Sequence, residues 1–530
     1  MAKHILRGPS HKVEIPNCSL GEYMWRNISV HGTKIAQVDA VTGKQRTYDD
    51  IIKDSIALAE TMRGWGVKKG DVVAIMSPNC TEFCLPVLAS LYLGATLAPL
   101  NPTYTPRELQ HAMSISKPCM LFCHPLILPK VPHVLAAVSF VKKVVVFGDR
   151  NHDYIKFSDC IDKPKSYVFN CVQVDPRKDL SAILCSSGTT GLPKGVMINH
   201  RSIIATIEMM RDPDMGHMTG NDVHLGLLPL FHAYAFFTQF CTLALGVKSI
   251  ILPKFEEQLF LESIQNHKVT LMMLVPPLMV FLAKHPLVDN YDLSSIRAMW
   301  CGAAPLSPEI QEQVSQRIQV PSIRQGYGMT EMTLAALITP PDEHKIGSSG
   351  KLLHNLEAKV VDLETGQTLG PNQKGELCFR GETIMLGYCG DEQSTQATID
   401  KDGFLHSGDI GYYDEDGYFF IIDRKKELIK YKGFQVPPAE LEAILLTHPS
   451  IKDAAVIGVP DIEAGELPRA FVVKQPGAVL SEDHVIDFVA SQVSPAKRLH
   501  GGVKFISEIP KNPTGKILRR VLRESLKSNL

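Results

Sequence analysis

The 530-residue sequence has almost no net charge and no uninterrupted apolar run long enough to span a membrane. Its 55 basic and 56 acidic residues give a formal charge of −1, so no global positive field is available to hold a nucleic acid or an anionic membrane surface. The most apolar stretches, 225–247 and 269–283, are interrupted by Pro229 and by Pro276-Pro277, whereas a spanning helix needs about twenty apolar residues. We expect both stretches to be buried core, and any bound anion to be held locally.

Short paired cysteine spacings are also missing. The 12 cysteines are scattered, and no apolar signal-peptide core follows the first four residues. We therefore expect reduced thiols in an intracellular protein. The last three residues, Ser528-Asn529-Leu530, resemble the Ser-Lys-Leu peroxisomal address but carry asparagine in place of the basic residue. A peroxisomal and a cytoplasmic location both stay open.

The composition gives no sign of disorder, and the sequence contains no internal repeat. Hydrophobic residues make up 45% and charged residues 21% of the chain, which is typical of soluble globular proteins. A chain of 530 residues exceeds the size of one ordinary core, so we expect several folding units.

Short apolar runs alternate with helical periods over the first two thirds of the chain. The predicted buried strands include 72–76, 144–147, 182–185 and 249–252, and the predicted helices include 51–65, 82–93 and 257–266. Parallel strands that are covered on both faces have this texture, and the helices are long enough for crossover connections. The alternation predicts a doubly wound α/β architecture.

The pattern of apolar and turn residues changes near residue 347. Hairpin signals follow at Thr365-Gly366, Asp402-Gly403 and Asp416-Gly417, which predicts a small β-rich subdomain. Beyond it, strands at 454–458 and 470–473 and helices at 438–446 and 482–492 predict a separate α+β unit. We therefore expect a large domain over 1–424 and a small, mobile C-terminal α+β domain over 425–530.

A loop rich in glycine and hydroxyl groups follows the strand predicted over 182–185. Its candidate phosphate-binding residues are Ser186, Ser187, Gly188, Thr189, Thr190, Gly191 and Lys194. Glycine lets backbone N–H groups approach phosphate oxygens, and a lysine adds a mobile positive charge. Pro193 stands where a Walker loop needs glycine, which disfavours that class. Taken alone, the loop is equally compatible with an ordinary turn.

Further motifs follow this loop in a fixed order. They are Gln325-Gly326-Tyr327-Gly328-Met329-Thr330-Glu331, Ser407-Gly408-Asp409, Asp423-Arg424 and Pro513-Thr514-Gly515-Lys516. Together with the loop they resemble the motifs of the adenylate-forming superfamily, over essentially the whole chain. The segments 228–232 and 430–436 resemble the branch that contains plant coumarate-CoA ligases, insect fatty acyl-CoA synthetases and beetle luciferases. Within that branch the sequence most resembles the luciferase-like fatty acyl-CoA synthetases of insects.

The resemblance implies that a substrate carboxylate attacks the α-phosphate of ATP, expels pyrophosphate and forms an acyl-adenylate. Because two anions must meet, cations and a metal ion are the expected catalytic groups. By resemblance, Thr190 and Glu331 lie beside Mg2+, Thr330 contacts the phosphate, and Lys516 stabilises the adenylation transition state. Without the resemblance, Glu331 and Lys516 would be ordinary surface residues.

The resemblance also implies a set of nucleotide contacts. Asp409 would bind both ribose hydroxyls, Arg424 would support the ribose, and Tyr327 would stack on the adenine. An ordinary turn aspartate is the alternative for Asp409, and a packing role is the alternative for Tyr327. The other expected nucleotide neighbours are Gly302, Ala303, Ala304, Gln325, Gly326 and Gly328.

A second half-reaction with coenzyme A is implied by the segment 430–436. By resemblance, Lys430 serves thioester formation, with Lys432, Gly433 and Gln435 on the same face. The segment 423–426 would be the hinge, since one site must receive Lys516 first and Lys430 later. A charged, exposed linker is the simpler alternative for this segment.

The acyl pocket is expected around His232, at its junction with the phosphates. A lone histidine on an apolar stretch is more often a core residue, and the motif is what favours function. The other pocket candidates, by comparison with beetle luciferases, are Arg211, Tyr234, Thr238, Leu334 and Ala335. Leu334 stands where those luciferases generally place serine, which favours an alkyl chain over a polar heteroaromatic luciferin.

The leading functional hypothesis is therefore an acyl-CoA ligase for medium- or long-chain fatty acids. It needs ATP, Mg2+ and coenzyme A, with no nucleic-acid partner. The runner-up is a luciferase-like oxidoreductase that adenylates and oxidises luciferin, motivated by Arg211 and Thr238. A binding protein on an inactive enzyme fold is the third hypothesis. The sequence does not specify the acid or the oligomeric state.

Overall fold

The computed structural model describes residues 4–12, 14–149, 153–162, 169–186, 193–341, 343, 345–432, 434–512 and 515–527. The tripeptide 528–530, in which the peroxisomal signal was predicted, lies outside these residues. So do residues 187–192 of the predicted phosphate loop.

The strands are numbered in chain order. Strands β1 to β10 are Leu6–Arg7, Ile35–Asp39, Gln45–Thr47, Val72–Met76, Thr96–Leu100, Met120–Cys123, Lys143–Val146, Ile155–Lys156, Leu180–Ser186 and Lys194–Asn199. Strands β11 to β19 are Val223–Gly226, Lys248–Ile251, Leu271–Leu274, Ala298–Cys301, Ser322–Tyr327, Leu337–Ile338, Lys351–Leu352, Leu356–Val361 and Thr368–Leu369. Strands β20 to β28 are Gly375–Gly381, Gly387–Tyr388, Leu405–Tyr413, Phe419–Arg424, Ile429–Tyr431, Phe434–Val436, Ile451–Asp461, Gly465–Lys474 and Val503–Phe505.

The helices are numbered in the same way. Helices α1 to α8 are Leu20–Ser29, Tyr48–Gly64, Cys84–Tyr92, Pro106–Ser116, Val131–Ala137, Phe157–Ile161, His200–Arg211 and Ala233–Ala244. Helices α9 to α15 are Glu257–His267, Pro276–Lys284, Pro308–Ile318, Glu392–Thr398, Pro438–Thr447, Glu482–Ala490 and Arg519–Lys527. Short 3-10 helices cover Pro125–Lys130, Pro286–Asn290, Thr330–Met332 and Pro495–Lys497. Among the described residues, no helix is both long and apolar enough to cross a membrane.

The first sheet has the strand order β21-β10-β9-β5-β4-β6-β7-β8 and is parallel from β9 to β8. Alternate residues of β4 enter different cores. Val73 and Ile75 join the main core with α1 to α3, whereas Ala74 and Met76 join a second core with α4 and α5. Helices therefore cover both faces of this sheet, and the predicted doubly wound architecture is confirmed.

The second sheet has the order β17-β16-β15-β14-β13-β11-β12-β2-β3. Its centre, from β15 to β2, is parallel. The carboxyl ends of neighbouring parallel strands meet at one edge, which is where open α/β sheets bind ligands. At this edge β14 runs into Gly302, and β15 ends at Tyr327.

The region after residue 347 is β-rich, as predicted. Strands β18, β20, β22 and β23 are antiparallel neighbours, and β19 pairs with β18. The turns at Thr365-Gly366 and Asp416-Gly417 connect β18 to β19 and β22 to β23. Asp402-Gly403 lies in a turn between α12 and β22, across which Ile399 and Leu405 form an isolated antiparallel bridge. There Asp400 accepts backbone N–H bonds from Asp402 and Phe404.

A separate small sheet begins at Ile429, with the order β25-β24-β27-β26 and β28 beside β27. Helices cover both of its faces. Ala454 and Val456 of β26 face one core, and Ala455 and Ile457 face the other. The predicted arrangement of a large α/β domain and a small α+β C-terminal domain is confirmed, whereas the boundary between residues 424 and 425 stays a prediction.

The surroundings of the predicted phosphate loop differ from expectation in one respect. The sequence predicted a strand, the loop and then a helix, but the structure inserts β10 before α7. Strands β9 and β10 are antiparallel, and Ser186 pairs with Lys194. The loop therefore joins the two strands of a hairpin, and Lys194 begins the second strand.

Candidate active site

A cavity of about 460 Å³ lies at the carboxyl ends of β14 and β15. The β-rich subdomain and the small domain also contribute to its wall. The sequence-predicted residues that line it are Ser186, Lys194, His232, Tyr234, Gly302, Ala303, Gly326, Tyr327, Gly328, Thr330, Glu331, Leu334, Ala335, Asp409, Arg424 and Lys516. The fold therefore brings together residues that are up to 330 positions apart in the sequence (516 − 186 = 330).

The cavity wall is rich in cations. Among the described residues, it carries the side chains of Lys194, Arg424, Lys425, Lys426 and Lys516, against the three carboxylates of Glu331, Glu376 and Asp409. Such an excess of positive charge favours a polyanion such as a triphosphate.

Asp409 forms the centre of one part of this wall. It lies on β22, and its carboxylate accepts a 2.7 Å hydrogen bond from the Tyr327 hydroxyl at the end of β15. The Arg424 guanidinium on β23 lies 3.5 Å from its other oxygen. Burial raises the pKa of the Asp409 carboxyl, and Arg424 opposes this rise. Two carboxylate oxygens fixed in this way suit two vicinal hydroxyl groups.

Glu331 is held by a residue that the sequence did not single out. Its carboxylate is buried and accepts a 3.0 Å hydrogen bond from the Tyr388 hydroxyl. Tyr388 reaches it because β21 pairs with β10, with Tyr388 opposite Val196. The Tyr388 ring also lies 4.8 Å from the Lys194 ammonium. No local sequence pattern marks Tyr388, since its place depends on this long-range strand pairing.

The phosphate side of the cavity retains Ser186 and Lys194 among the described residues. The Lys194 ammonium donates a 2.6 Å hydrogen bond to the Ser394 hydroxyl. The predicted residues Ser187, Gly188, Thr189, Thr190 and Gly191 lie outside the described residues. Close backbone approach explains Gly328, because a Cβ there would lie 2.1 Å from the Leu334 carbonyl oxygen.

Lys516 reaches the cavity from the small domain. Its backbone N–H donates to the Asn512 side chain, and the Asn512 N–H donates to the Lys516 carbonyl. Burial, together with the charges of Arg424 and Lys426, lowers the pKa of Lys516 to about 7. Because burial and nearby cations disfavour the ammonium form, a negatively charged ligand would stabilise that form strongly.

His232 caps the N-terminus of α8. Its Nδ1 accepts the backbone N–H of Tyr234, so the ring is fixed at the start of the helix. Burial first, and then the Lys516 ammonium, lower the pKa of His232 to about 4. The ring is therefore neutral at pH 7. Tyr234 lies two residues later, and its hydroxyl donates to the Trp300 carbonyl at 3.2 Å.

Part of the wall is apolar. It includes Met209, Met210, Leu334, Ile338 and Leu353. The segments that carry these residues are joined by hydrogen bonds to backbone carbonyls. Leu353 N–H donates to the Ala336 carbonyl, and Thr206 of α7 donates to the Thr333 carbonyl beside Leu334. The two methionines of α7 were not predicted from the sequence.

Two pocket candidates do not line this cavity. Arg211, at the end of α7, turns away and bonds Glu208, Asn27 and the Tyr23 hydroxyl. Thr238 lies one turn beyond Tyr234 on α8, where its hydroxyl donates to the Tyr234 carbonyl. It lines a separate cavity of about 20 Å³. The rotation of α7 and α8 about their axes determines where these two side chains lie. The spacing of motifs in the sequence does not specify this rotation.

The remaining nucleotide and coenzyme A candidates also lie off the cavity wall. Gln325 is buried and donates to Gln311, and Ala304 follows the lining residue Ala303. On the small domain, Lys430, Lys432 and Gln435 are exposed and face solvent in this arrangement. Gly433 lies outside the described residues.

A divalent cation would find only part of a site in the protein. Within the described part of the chain, no group of three or more His, Cys, Asp or Glu side chains could hold a metal. Glu331 supplies one carboxylate. Mg2+ commonly binds through one or two carboxylates, waters and substrate phosphates. The residues therefore fit a magnesium ion that arrives with a nucleotide.

Known protein families match both domains. The profile of the AMP-binding enzyme family matches residues 24–389, and that of the AMP-binding enzyme C-terminal domain matches residues 440–516. The chain belongs to the AMP-binding enzyme family. The predicted membership of the adenylate-forming superfamily is thus confirmed.

Relatives within the AMP-binding enzyme family include both luciferases and coenzyme A ligases. Luciferin 4-monooxygenase of Luciola mingrelica is 45% identical over 504 residues, which cover 93% of this chain and 92% of that protein. 4-Coumarate-CoA ligase 1 of Solanum tuberosum is 39% identical over 535 residues, covering 99% of this chain and 97% of that protein. The family therefore shows adenylate-forming chemistry with ATP but leaves the acid open.

Solved structures of AMP-binding enzymes match the whole fold. ATP-bound MatB from Rhodopseudomonas palustris is 28% identical and gives a TM-score of 0.87, covering 97% of this chain and 100% of that chain. The apo form of the same protein, with the same coverage, gives 0.76. The arrangement of this chain is thus more similar to the ATP-bound form.

Proposed function

We propose that this AMP-binding enzyme is an ATP-dependent acyl-CoA ligase for medium- or long-chain fatty acids. One observation carries the proposal. The same cavity has a cationic part, with Lys516, Arg424 and Lys194, and an apolar part, with Met210 and Leu334. A fatty acid joined to AMP has this division between a charged and an apolar end.

The proposed first step joins the acid to the nucleotide. A carboxylate oxygen attacks the α-phosphorus of ATP, the bond to the bridging oxygen breaks, and pyrophosphate leaves. Lys516 donates to the charge that develops on the transferred phosphate. Asp409 and Tyr327 hold the nucleoside, while Lys194 serves the pyrophosphate end. Mg2+ on Glu331 and the phosphates would neutralise charge.

The proposed second step transfers the acyl group. The thiolate of coenzyme A attacks the acyl carbon, the carbon–oxygen bond to AMP breaks, and AMP leaves. His232 is neutral at pH 7 and lies beside the region where the acyl carbon is expected. Lys430 is exposed in the present arrangement, so its proposed role requires the small domain to move.

The apolar part of the wall supports an aliphatic acid. Each methylene group that it buries contributes about 0.8 kcal/mol. Leu334 offers no hydroxyl there, and its backbone has a φ of 88°, which an L side chain rarely adopts. A polar heteroaromatic acid would find no side-chain donor at this position.

A luciferase-like activity is the second candidate. It is favoured by the 45% identity to luciferin 4-monooxygenase. However, Arg211 and Thr238, which motivated it from the sequence, do not line the cavity. We therefore rank it below acyl-CoA synthesis.

The test is a panel of carboxylic acids assayed with ATP and Mg2+, with and without coenzyme A. The panel includes octanoate, dodecanoate, palmitate, coumarate and luciferin. We expect pyrophosphate release and thioester formation with a fatty acid, and little light with luciferin. Bright emission without a fatty acyl thioester would overturn the proposal.

Leu334→Ser tests the apolar wall. It removes apolar volume and adds a hydroxyl, so we expect kcat/KM for the preferred fatty acid to fall about tenfold, because two or so methylene contacts are lost. The KM for ATP should stay within twofold. Leu334→Met, which keeps the apolar volume, is the matched control. An unchanged fatty-acid preference in the serine variant would contradict the assignment of this wall.

A further inference from the structure

Helix α10 touches the small domain at its first turn. Gly515, directly before Lys516, packs against Pro277, and a Cβ at Gly515 would lie 3.0 Å from the Pro277 Cγ. The same added Cβ would lie 3.5 Å from the Cγ2 of Val275, which precedes the helix. The loop that carries Lys516 thus rests on the beginning of α10.

The same helix touches the small domain again at its last residue. The Lys284 ammonium donates a 2.5 Å hydrogen bond to the Leu446 carbonyl in the last turn of α13. The final four carbonyls of a helix have no partner within the helix, and the helix dipole places partial negative charge there. A lysine side chain is therefore a suitable partner for the C-terminal end of α13. Here the large domain supplies this lysine.

The Lys284 contact is partly shielded from solvent. The side chain is half-buried, and burial lowers the pKa of Lys284 below its usual range. His448, which follows α13, is a titratable group of the small domain that the Lys284 charge affects, and its pKa is lowered by burial first and then by His484 and Lys284. Removing the α13 carbonyl from Lys284 would leave a partly desolvated ammonium without this acceptor.

We propose that Lys284 is a positioning residue that docks the small domain in the arrangement that presents Lys516 to the cavity. It does not line the cavity itself, so it acts through Lys516. The two contacts, at Pro277 and Lys284, lie about 10 Å apart along α10, so together they constrain the orientation of the small domain as well as its position. They add to a contact at the start of α13, where the Ala439 N–H donates to the Asp423 carboxylate of β23.

The role of Lys284 is specific to one half of the reaction. Lys430 is exposed while Lys516 lines the cavity, so presenting Lys430 requires the small domain to leave α10. The Lys284 bond then breaks. The Lys284 bond therefore stabilises the adenylation arrangement relative to the thioester-forming arrangement. This difference in free energy raises the fraction of molecules in the adenylation arrangement. Only this last step rests on the proposed coenzyme A ligase function.

The experiment compares Lys284→Met and Lys284→Gln, which remove the charge, with Lys284→Arg, which keeps it. Lys254→Met is the matched control, because Lys254 is an exposed lysine of the large domain paired with Glu256. For each variant we measure ATP–pyrophosphate exchange with the acid, and thioester formation from preformed acyl-adenylate and coenzyme A. Hydrogen exchange of the segment 515–522, in the presence of ATP, reports docking without any turnover.

We expect Lys284→Met and Lys284→Gln to slow adenylation roughly tenfold, the loss typical of a hydrogen bond to a charged group. Thioester formation should stay within twofold, and exchange in the segment 515–522 should become faster. Lys284→Arg should recover most of the adenylation rate, and Lys254→Met should behave like the unmodified protein.

Equal loss of both half-reactions, or no loss of adenylation, would overturn the role of Lys284. So would unchanged hydrogen exchange in the segment 515–522. If the unmodified protein forms no thioester with any acid, the proposed ligase function fails instead. The exchange measurements then still test docking.

Discussion

The surroundings of Lys516 disfavour its positive charge in the absence of a nucleotide. Burial, Arg424 and Lys426 lower its pKa to about 7, from an ordinary value of 10.5. At pH 8 the free enzyme therefore holds this lysine mostly neutral, whereas the bound triphosphate favours the ammonium. Nucleotide binding at pH 8 must then bring a proton with it.

We predict that ATP binding takes up more than half a proton at Lys516 at pH 8, and much less at pH 6, where the lysine is already mostly protonated. Calorimetry in two buffers with different ionisation enthalpies measures this uptake. Because other groups of ATP and the protein also titrate, the quantity of interest is the difference from Lys516→Met. An identical uptake at pH 8 in the variant would contradict the lowered pKa.

The sequence predicted cavity-lining residues best where a motif lies on a strand. Tyr327, at the end of β15, and Asp409, in the middle of β22, are examples, since they meet in a hydrogen bond although 82 positions separate them. Residues on helices were harder to predict. Met210 lines the cavity and Arg211 does not, because neighbouring helical residues point about 100° apart and the rotation of α7 is fixed by packing. Tyr388 depends on strand pairing, which no motif encodes.

At the scale of the element, α10 explains why a glycine precedes Lys516. Gly515 has a φ of 79° and contacts Pro277. Gly417, in the turn between β22 and β23, has a φ of 80°, and nothing lies within 4 Å of an added Cβ. Both glycines therefore adopt a positive φ that disfavours other residues, but only Gly515 also contacts α10.

We predict that Gly515→Ala slows adenylation at least tenfold, whereas Gly417→Ala leaves it within twofold. The conformational strain, about 1–2 kcal/mol, is the same at both positions, so the two variants should lose similar unfolding free energy. Pyrophosphate release and urea unfolding measure the two effects. Equal adenylation rates in the two variants would show that the α10 contact has no role in presenting Lys516.

The sequence predicted whole elements well where the pattern was local. The strand expected over 72–76 is β4 itself, and the helix expected over 257–266 extends by one residue. Strand β10 was missed, because the sequence Lys194–Asn199 mixes a lysine, a glycine and an asparagine with its apolar residues. Its strand conformation comes from pairing with β9 and β21 on either side, a tertiary effect that a local pattern does not contain.

At the scale of the whole molecule, the two lysines of the small domain lie in different surroundings. Lys516 lines the cavity, and Lys430 on β24 is exposed. Under the proposed function, this arrangement of the domains serves adenylation and not thioester formation. The sequence predicted both lysines by resemblance, but it could not predict which of them the structure would present.

We predict that Lys430→Ala leaves ATP–pyrophosphate exchange within twofold and slows thioester formation from preformed acyl-adenylate at least tenfold. The reason is that Lys430 makes no contact with the cavity in the adenylation arrangement. Lys504→Ala, on β28 of the same domain, is a matched control. Loss of exchange in Lys430→Ala would mean that this lysine already acts in the first step.

The most direct test of the central claim follows the oxygens of the acid. Octanoate, or the best fatty acid of the panel, is labelled with oxygen-18 in both carboxylate positions and converted with ATP, Mg2+ and coenzyme A. We predict that one labelled oxygen appears in the phosphate of AMP and the other in the acyl-CoA thioester, with none in pyrophosphate. Unlabelled AMP would contradict ligation through an acyl-adenylate. Labelled AMP without any acyl-CoA thioester would show adenylation without ligation, which also contradicts the claim.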